Sequence, residues 1–118
     1  MAIHTHLPVY KLAKDLLRVS TALTRNYPKP VRGVATRISD ACLSMLVLIA
    51  RANASRHKAP ILDELLEQLH VAEVLFHLSL DENYISPRQY ARAADVCARI
   101  GKQAGGWRRS QQRIASDA

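Results

Sequence analysis

PILDELLEQLHVAEVLFHLSL, residues 60–80, decides the fold. Leu62, Leu65, Leu66, Leu69, Ala72, Phe76 and Leu80 recur at steps of three and four, the period that stacks side chains on one face of an α-helix. Pro60 presets the first turn. Val71, Val74, Leu75 and Leu78 add a second apolar face toward the end of the segment. A bundle helix needs one apolar stripe, and a helix apolar on two sides is buried on two sides. In a chain of 118 residues the second side is expected to meet another subunit, which marks Val71, Val74, Leu75 and Leu78 as interface residues. The plainer reading is a wide core stripe.

Three more segments share this period. Val9, Leu12, Ala13, Leu16, Val19, Leu23 and Tyr27 define a helix over about residues 8–26, opened by Pro8 and stopped by Pro28 and Pro30. Val31, Val34, Ala35, Ile38, Ala41, Cys42, Met45, Leu48, Ile49 and Ala52 define a second over 31–54. Leu46 and Val47 fall off its main stripe. The quoted stretch predicts a third over 60–82. Ser86-Pro87, an N-cap with a first-turn proline, opens a fourth over 87–104, whose inner face carries Tyr90, Ala93, Ala94, Cys97, Ile100, Gly101 and Ala104. Gly105-Gly106 is expected to end it, because glycine tolerates the left-handed cap. Trp107 then either lids the bundle or anchors a neighbouring subunit or a protein partner, and residues 108–118 form a basic tail. Short connections join antiparallel neighbours, so the expectation is an all-α, up-down antiparallel four-helix bundle over residues 1–107, assembling into a homo-oligomer.

The charge is segregated. Residues 1–58 hold ten lysines and arginines against two acids, residues 59–87 none against six, and residues 88–118 seven against two. A net charge of +7 and a pI near 9.9 point to polyanions, with an acidic strip left for a basic partner or a second copy. The candidate contacts are Arg25, Lys29 and Arg32 at the first junction and Arg51, Arg56 and Lys58 at the second. Arg88, Arg92, Arg99 and Lys102 follow on helix 4, of which the three arginines recur on or near one outer face, and the tail adds Arg108, Arg109 and Arg113. A solvated charged surface is the bland alternative. With six aromatic residues in all, base stacking is not indicated, so contact would run to the phosphate backbone.

Nothing assembles a catalytic centre. There is no phosphate-binding glycine loop, no nucleophile elbow and no Cys–His pairing in a known context, so no enzyme and no cofactor are expected. His4 with His6 and His70 with His77 lack the third and fourth ligands that a metal needs. Cys42 and Cys97 lack CxxC spacing and read as core residues of a reduced, cytoplasmic protein. The opening Met-Ala-Ile-His-Thr-His shows no secretory pattern, and no run of about 20 uncharged apolar residues suits a membrane.

Several runs carry a resemblance. Val9-Tyr10-Lys11-Leu12-Ala13-Lys14-Asp15-Leu16-Leu17 and Arg25-Asn26-Tyr27-Pro28-Lys29 match the opening of small bacterial four-helix-bundle proteins. Ala50-Arg51-Ala52-Asn53, Ile85-Ser86-Pro87-Arg88-Gln89-Tyr90 and Ile100-Gly101-Lys102-Gln103-Ala104-Gly105-Gly106-Trp107 resemble one branch, the accessory variability determinant proteins of diversity-generating retroelements. The related ribosomal-RNA intervening-sequence proteins carry a Ser-Ile-Pro-x-Asn-Ile-Ala-Glu-Gly run where this chain has Ser44-Met45-Leu46-Val47-Leu48-Ile49-Ala50-Arg51-Ala52. The resemblance implies a basic homopentamer without catalytic activity. It also implies partnership with the retroelement reverse transcriptase and its template RNA or cDNA. Family members often place arginines in the leucine-rich part of helix 3, where this chain has His70, His77 and acids. The competing expectation is an oligomeric interaction module, or a ribosomal-RNA-associated bundle, with no polymerase partner.

Overall fold

The computed structural model describes residues 3–117. Met1, Ala2 and Ala118, at the ends of the expected bundle and tail, lie outside the described residues. The helices are α1 (Pro8–Thr24), α2 (Arg32–Ala54), α3 (Ala59–Asp81) and α4 (Pro87–Asp117), with 3-10 turns at His4–His6 and Lys29–Val31. No strand occurs among the described residues. Each helix packs on the next and α4 closes back on α1, while the diagonal pairs do not meet. The result is a four-helix rod measuring 51 × 22 × 20 Å.

The predicted stripes form its core. Leu16, Ile38, Met45, Ile49, Leu62, Leu65, Phe76 and Ile100 are sealed from solvent. On α4 the buried positions apart from Ile100 are small, Ala93, Cys97 and Ala104, which lets neighbouring helices approach closely. At Gly101 a Cβ would stand 3.4 Å from the Leu69 side chain of α3. α2 is long and apolar enough to cross a membrane by length and composition alone. Here Ile38, Ala41, Cys42, Met45, Leu48, Ile49 and Ala52 bury its stripe among the other helices.

The connections explain where helices stop. The Lys58 ammonium donates to the carbonyls of Ala52, Asn53 and Ser55 at 2.8, 3.2 and 2.7 Å, supplying partners and positive charge at the C-terminus of α2. Asn83, at φ 61°, ends α3 in the left-handed region, with Tyr84 N–H on the Ser79 carbonyl and Asn83 N–H on that of Leu80. Ser86 is the expected N-cap. The Gln89 amide donates to its hydroxyl at 3.1 Å while the Gln89 side-chain carbonyl accepts from the Ser86 amide at 2.9 Å, a reciprocal capping box.

One boundary is overturned. α4 does not stop at Gly105-Gly106 but continues to Asp117, so the arginines expected in a tail stand on a helix. Neither glycine adopts a positive φ. Replacing alanine by glycine costs a helix only ~1 kcal/mol per residue, which tertiary contacts can outweigh. Trp107 packs half-buried against the core, and Arg108 pairs with Asp63 of α3 at 2.7 Å. The Arg109 guanidinium lies 3.3 Å from where a Cβ on Gly105 would stand. That obstacle is the flexible end of a side chain, so the double variant Gly105→Ala/Gly106→Ala is expected to stabilise the fold by ~1–2 kcal/mol. Thermal unfolding reads this as a rise of roughly 5 °C. A fall would mean that the helix breaks there.

Candidate nucleic-acid interface

The up-down order places the cations in two different settings. Arg25, Lys29 and Arg32 come together, exposed, at the end of the rod where α4 also begins with Arg88 and Arg92. Among the described residues none of these five has an acidic partner within ion-pair distance. The second junction is different. Lys58 is consumed in capping α2, Arg51 faces Glu64 at 3.9 Å, and Arg108 is held by Asp63, so that among the described residues Arg56 is the cation of that junction left exposed without an acidic partner.

Because α4 is unbroken, its cations other than Arg108 fall on one register. Positions 88, 92, 95, 99, 102, 106, 109 and 113 advance by threes and fours, and all are basic except Asp95 and Gly106. Such spacing keeps them on one side of a helix. That side meets α1: Lys11, Leu12 and Asp15 line a groove of about 420 Å³ with Arg99, Lys102 and Gln103. A neighbouring depression adds Tyr10, Lys14 and Arg18. Two ion pairs temper the field, Arg18–Asp15 at 3.4 Å and Arg99–Asp95 at 3.2 Å, both exposed and so weak. Lys11, Lys14 and Lys102 are exposed and have no acidic partner within ion-pair distance among the described residues.

Lys11, Lys14 and Arg18 are absent from the sequence-based candidates. Their i, i+3, i+7 spacing was readable on α1. What sequence lacked was that α4 lies beside that face and doubles its charge. The opposite side of the rod is different again. There α2 and α3 bound a groove of about 680 Å³ with Leu43, Val47 and Leu48 between Asp40, Glu64 and Glu67. α3 bears five acids and neither lysine nor arginine.

The proposed apolar interface is divided. Val74 and Leu78 are exposed, at 51% and 39%, whereas Val71, Leu75 and Trp107 are half-buried and packed against the core. Leu43 and Val47 on α2, at 49% and 59%, join the exposed set.

The remaining polar candidates are explained by packing. His77 lies 3.3 Å from the Asp81 carboxylate with its ring edge-on to Tyr90, and His4 packs edge-on to Tyr10. Among the described residues no three His, Cys, Asp or Glu side chains converge as a metal site. Ser20 and Ser79 turn their hydroxyls back to the carbonyls of Leu17 and Leu75. Burial pushes the Cys97 thiol up to about 12, with the Glu73 carboxylate and Cys42 adding to it. Burial likewise raises Cys42, partly offset by its hydrogen bond with Ser20. Both shifts keep the thiols protonated near neutral pH, and the thiolate is the reactive form. Both cysteines are therefore expected to resist iodoacetamide in the folded chain and to react once it is unfolded in urea; mass spectrometry before and after unfolding checks this.

The family model described as bAvd-like matches residues 8–111, from the first residue of α1 well into the continuous part of α4. No curated protein matches the chain.

Proposed function

The chain belongs to the bAvd-like family, and on that footing we propose that it is a non-catalytic accessory protein of a diversity-generating retroelement, binding the reverse transcriptase and the template RNA or its cDNA. The observation that carries the nucleic-acid half is the continuous basic side formed by α1 and α4. Lys11, Lys14, Arg18, Arg88, Arg92, Arg99, Lys102, Arg109 and Arg113 spread there over most of a 51 Å rod. Arg25, Lys29 and Arg32 extend it around one end. A stripe of flexible cations without exposed aromatic rings suits phosphates at repeated spacing and carries little base information. The work of the protein is then to hold template or product near a polymerase, in the cytoplasm, as a homo-oligomer that family resemblance makes a pentamer.

The acidic α3 shapes the protein half of the reading. Where relatives often place arginines, this chain offers Glu64 and Glu67 beside an apolar groove, so the polymerase surface it engages there is basic, or the polymerase contact lies elsewhere. An interaction module that ignores nucleic acid is the second reading, and the exposed apolar residues of α2 and α3 favour it.

Two measurements test the proposal. Retention of single-stranded RNA on a filter should be readily detectable at low ionic strength and fall steeply with salt. A reverse transcriptase encoded beside this gene should co-purify with the tagged chain. RNA that is not retained even at low salt removes the nucleic-acid half; retention without co-purification removes the polymerase half.

A further inference from the structure

We propose that the groove between α2 and α3 is the docking site for the projecting end of α4 from a second copy of this chain. The inference stands on shape, exposure and charge, and does not rest on nucleic-acid binding.

The projecting end follows from helix lengths. α4 has 31 residues and α3 has 23, about 46 against 35 Å at 1.5 Å per residue. Two contacts set their register: Arg108 on Asp63, and Gly101 under Leu69. Four residues before Asp63 α3 begins, so α4 runs past it beyond about Gln112. The core stripe of α4 does not stop there. Ala93, Cys97, Ile100 and Ala104 are buried, Trp107 is half-buried, and the same three-and-four steps lead through Gln111 to Ile114, which is 62% exposed. Ile114 thus holds a core position at a level where its own bundle supplies no core. Arg109 and Arg113, four residues apart, stand on the same stretch of helix.

The groove is the complement of that segment. Leu43 and Val47 leave about half of their surfaces in solvent beside Leu48. Arg51 answers Glu64, whereas Asp40 and Glu67 have no cationic partner among the described residues. An aliphatic side chain with arginines one and five residues before it on the same helix end fits an aliphatic groove with two unanswered carboxylates. The chain's other basic surface, between α1 and α4, lacks an exposed large aliphatic residue among those that line its groove, which is why the end of α4 is the occupant inferred here. Asp40 and Glu67 on one copy then take Arg109 and Arg113 of the next, and Ile114 lies against Leu43 and Val47.

Complementary charge reversal tests this with two full-length variants, Asp40→Arg/Glu67→Arg and Arg109→Glu/Arg113→Glu, with circular dichroism as the check on folding. Light scattering after size exclusion should find wild type above the 13.2 kDa of one chain. Each variant alone should fall to that mass, because like charges then face each other. An equimolar mixture should reassemble, since each groove again finds an end of opposite sign. The proposal is overturned if wild type is a single chain at every concentration, if both variants keep the wild-type mass, or if the mixture stays dissociated. The Asp40→Arg/Glu67→Arg variant keeps every cation of the α1/α4 side. Loss of its assembly with RNA retention intact therefore separates this contact from the nucleic-acid reading.

Discussion

Replacing Lys11, Lys14, Arg92 and Lys102 together by glutamine is expected to weaken binding of single-stranded RNA by about 10²–10³-fold near 0.1 M salt. All four are exposed, and none has an acidic partner among the described residues, so each is available to a phosphate. Each phosphate neutralised on a single strand contributes a slope of about 0.7 in log affinity against log salt. Four lost contacts should therefore flatten that slope by roughly 3. The flattening is the informative readout, because a misfolded variant would lose binding without a defined change in salt dependence. Arg51→Gln and Arg108→Gln provide the contrast. These arginines already face Glu64 and Asp63, and their loss is expected to leave RNA affinity within about threefold of wild type, the scale of a weak exposed ion pair. Equal losses from both sets would mean that total charge matters and the α1/α4 side does not.

The largest effect on stability is expected at Phe76. It is the bulkiest sealed side chain, 1% exposed on the inner stripe of α3. α3 packs on both α2 and α4, so truncating Phe76 opens a void on the core face of α3. Phe76→Ala should cost ~3–5 kcal/mol, combining lost transfer energy with the cavity left behind. Against a typical total of about 5–15 kcal/mol this removes a large share of the stability. Urea unfolding should show a lower midpoint with little change in slope. Val74→Ala, two residues earlier but half-exposed on the outer face, should change stability by less than about 1 kcal/mol in the isolated subunit. A cost at Val74 equal to that at Phe76 would mean that the two faces of α3 had been assigned the wrong way round.

The contrast between Phe76 and Val74 shows how far sequence reached. Both lie in the stretch first quoted, and periodicity alone separated an inner stripe from a second apolar face. Leu62, Leu65, Leu69, Ala72 and Phe76 are buried as the spacing predicts. The second face was less legible: Val74 and Leu78 stand in solvent, but Val71 and Leu75 fold inward against neighbouring helices. A helical wheel ranks residues by angle, and the angle at which exposure begins depends on how closely the neighbours approach.

The candidate cations divide along the same line. Their identities and three-and-four spacing were visible on α4, yet nothing local revealed that Lys58 caps a helix or that Arg51 and Arg108 face acids of α3. Those fates depend on residues three to 45 positions away. The glycine pair misled for a related reason. Its preference for a left-handed stop is real but small, and Trp107 with Arg108 ties the next turn to the bundle.

The amino-acid order by itself determined four amphipathic helices, because hydrophobic period, proline starts and capping residues act within a turn or two of where they stand. Only the tertiary structure decided that α4 runs on through its glycines. It alone set the basic register of α4 beside Lys11 and Lys14 of α1 on one side of the rod, and Glu64 and Glu67 of α3 beside α2 on the other. Those outcomes depend on which helix becomes the neighbour of which, and contacts between distant segments exist only after the chain has packed.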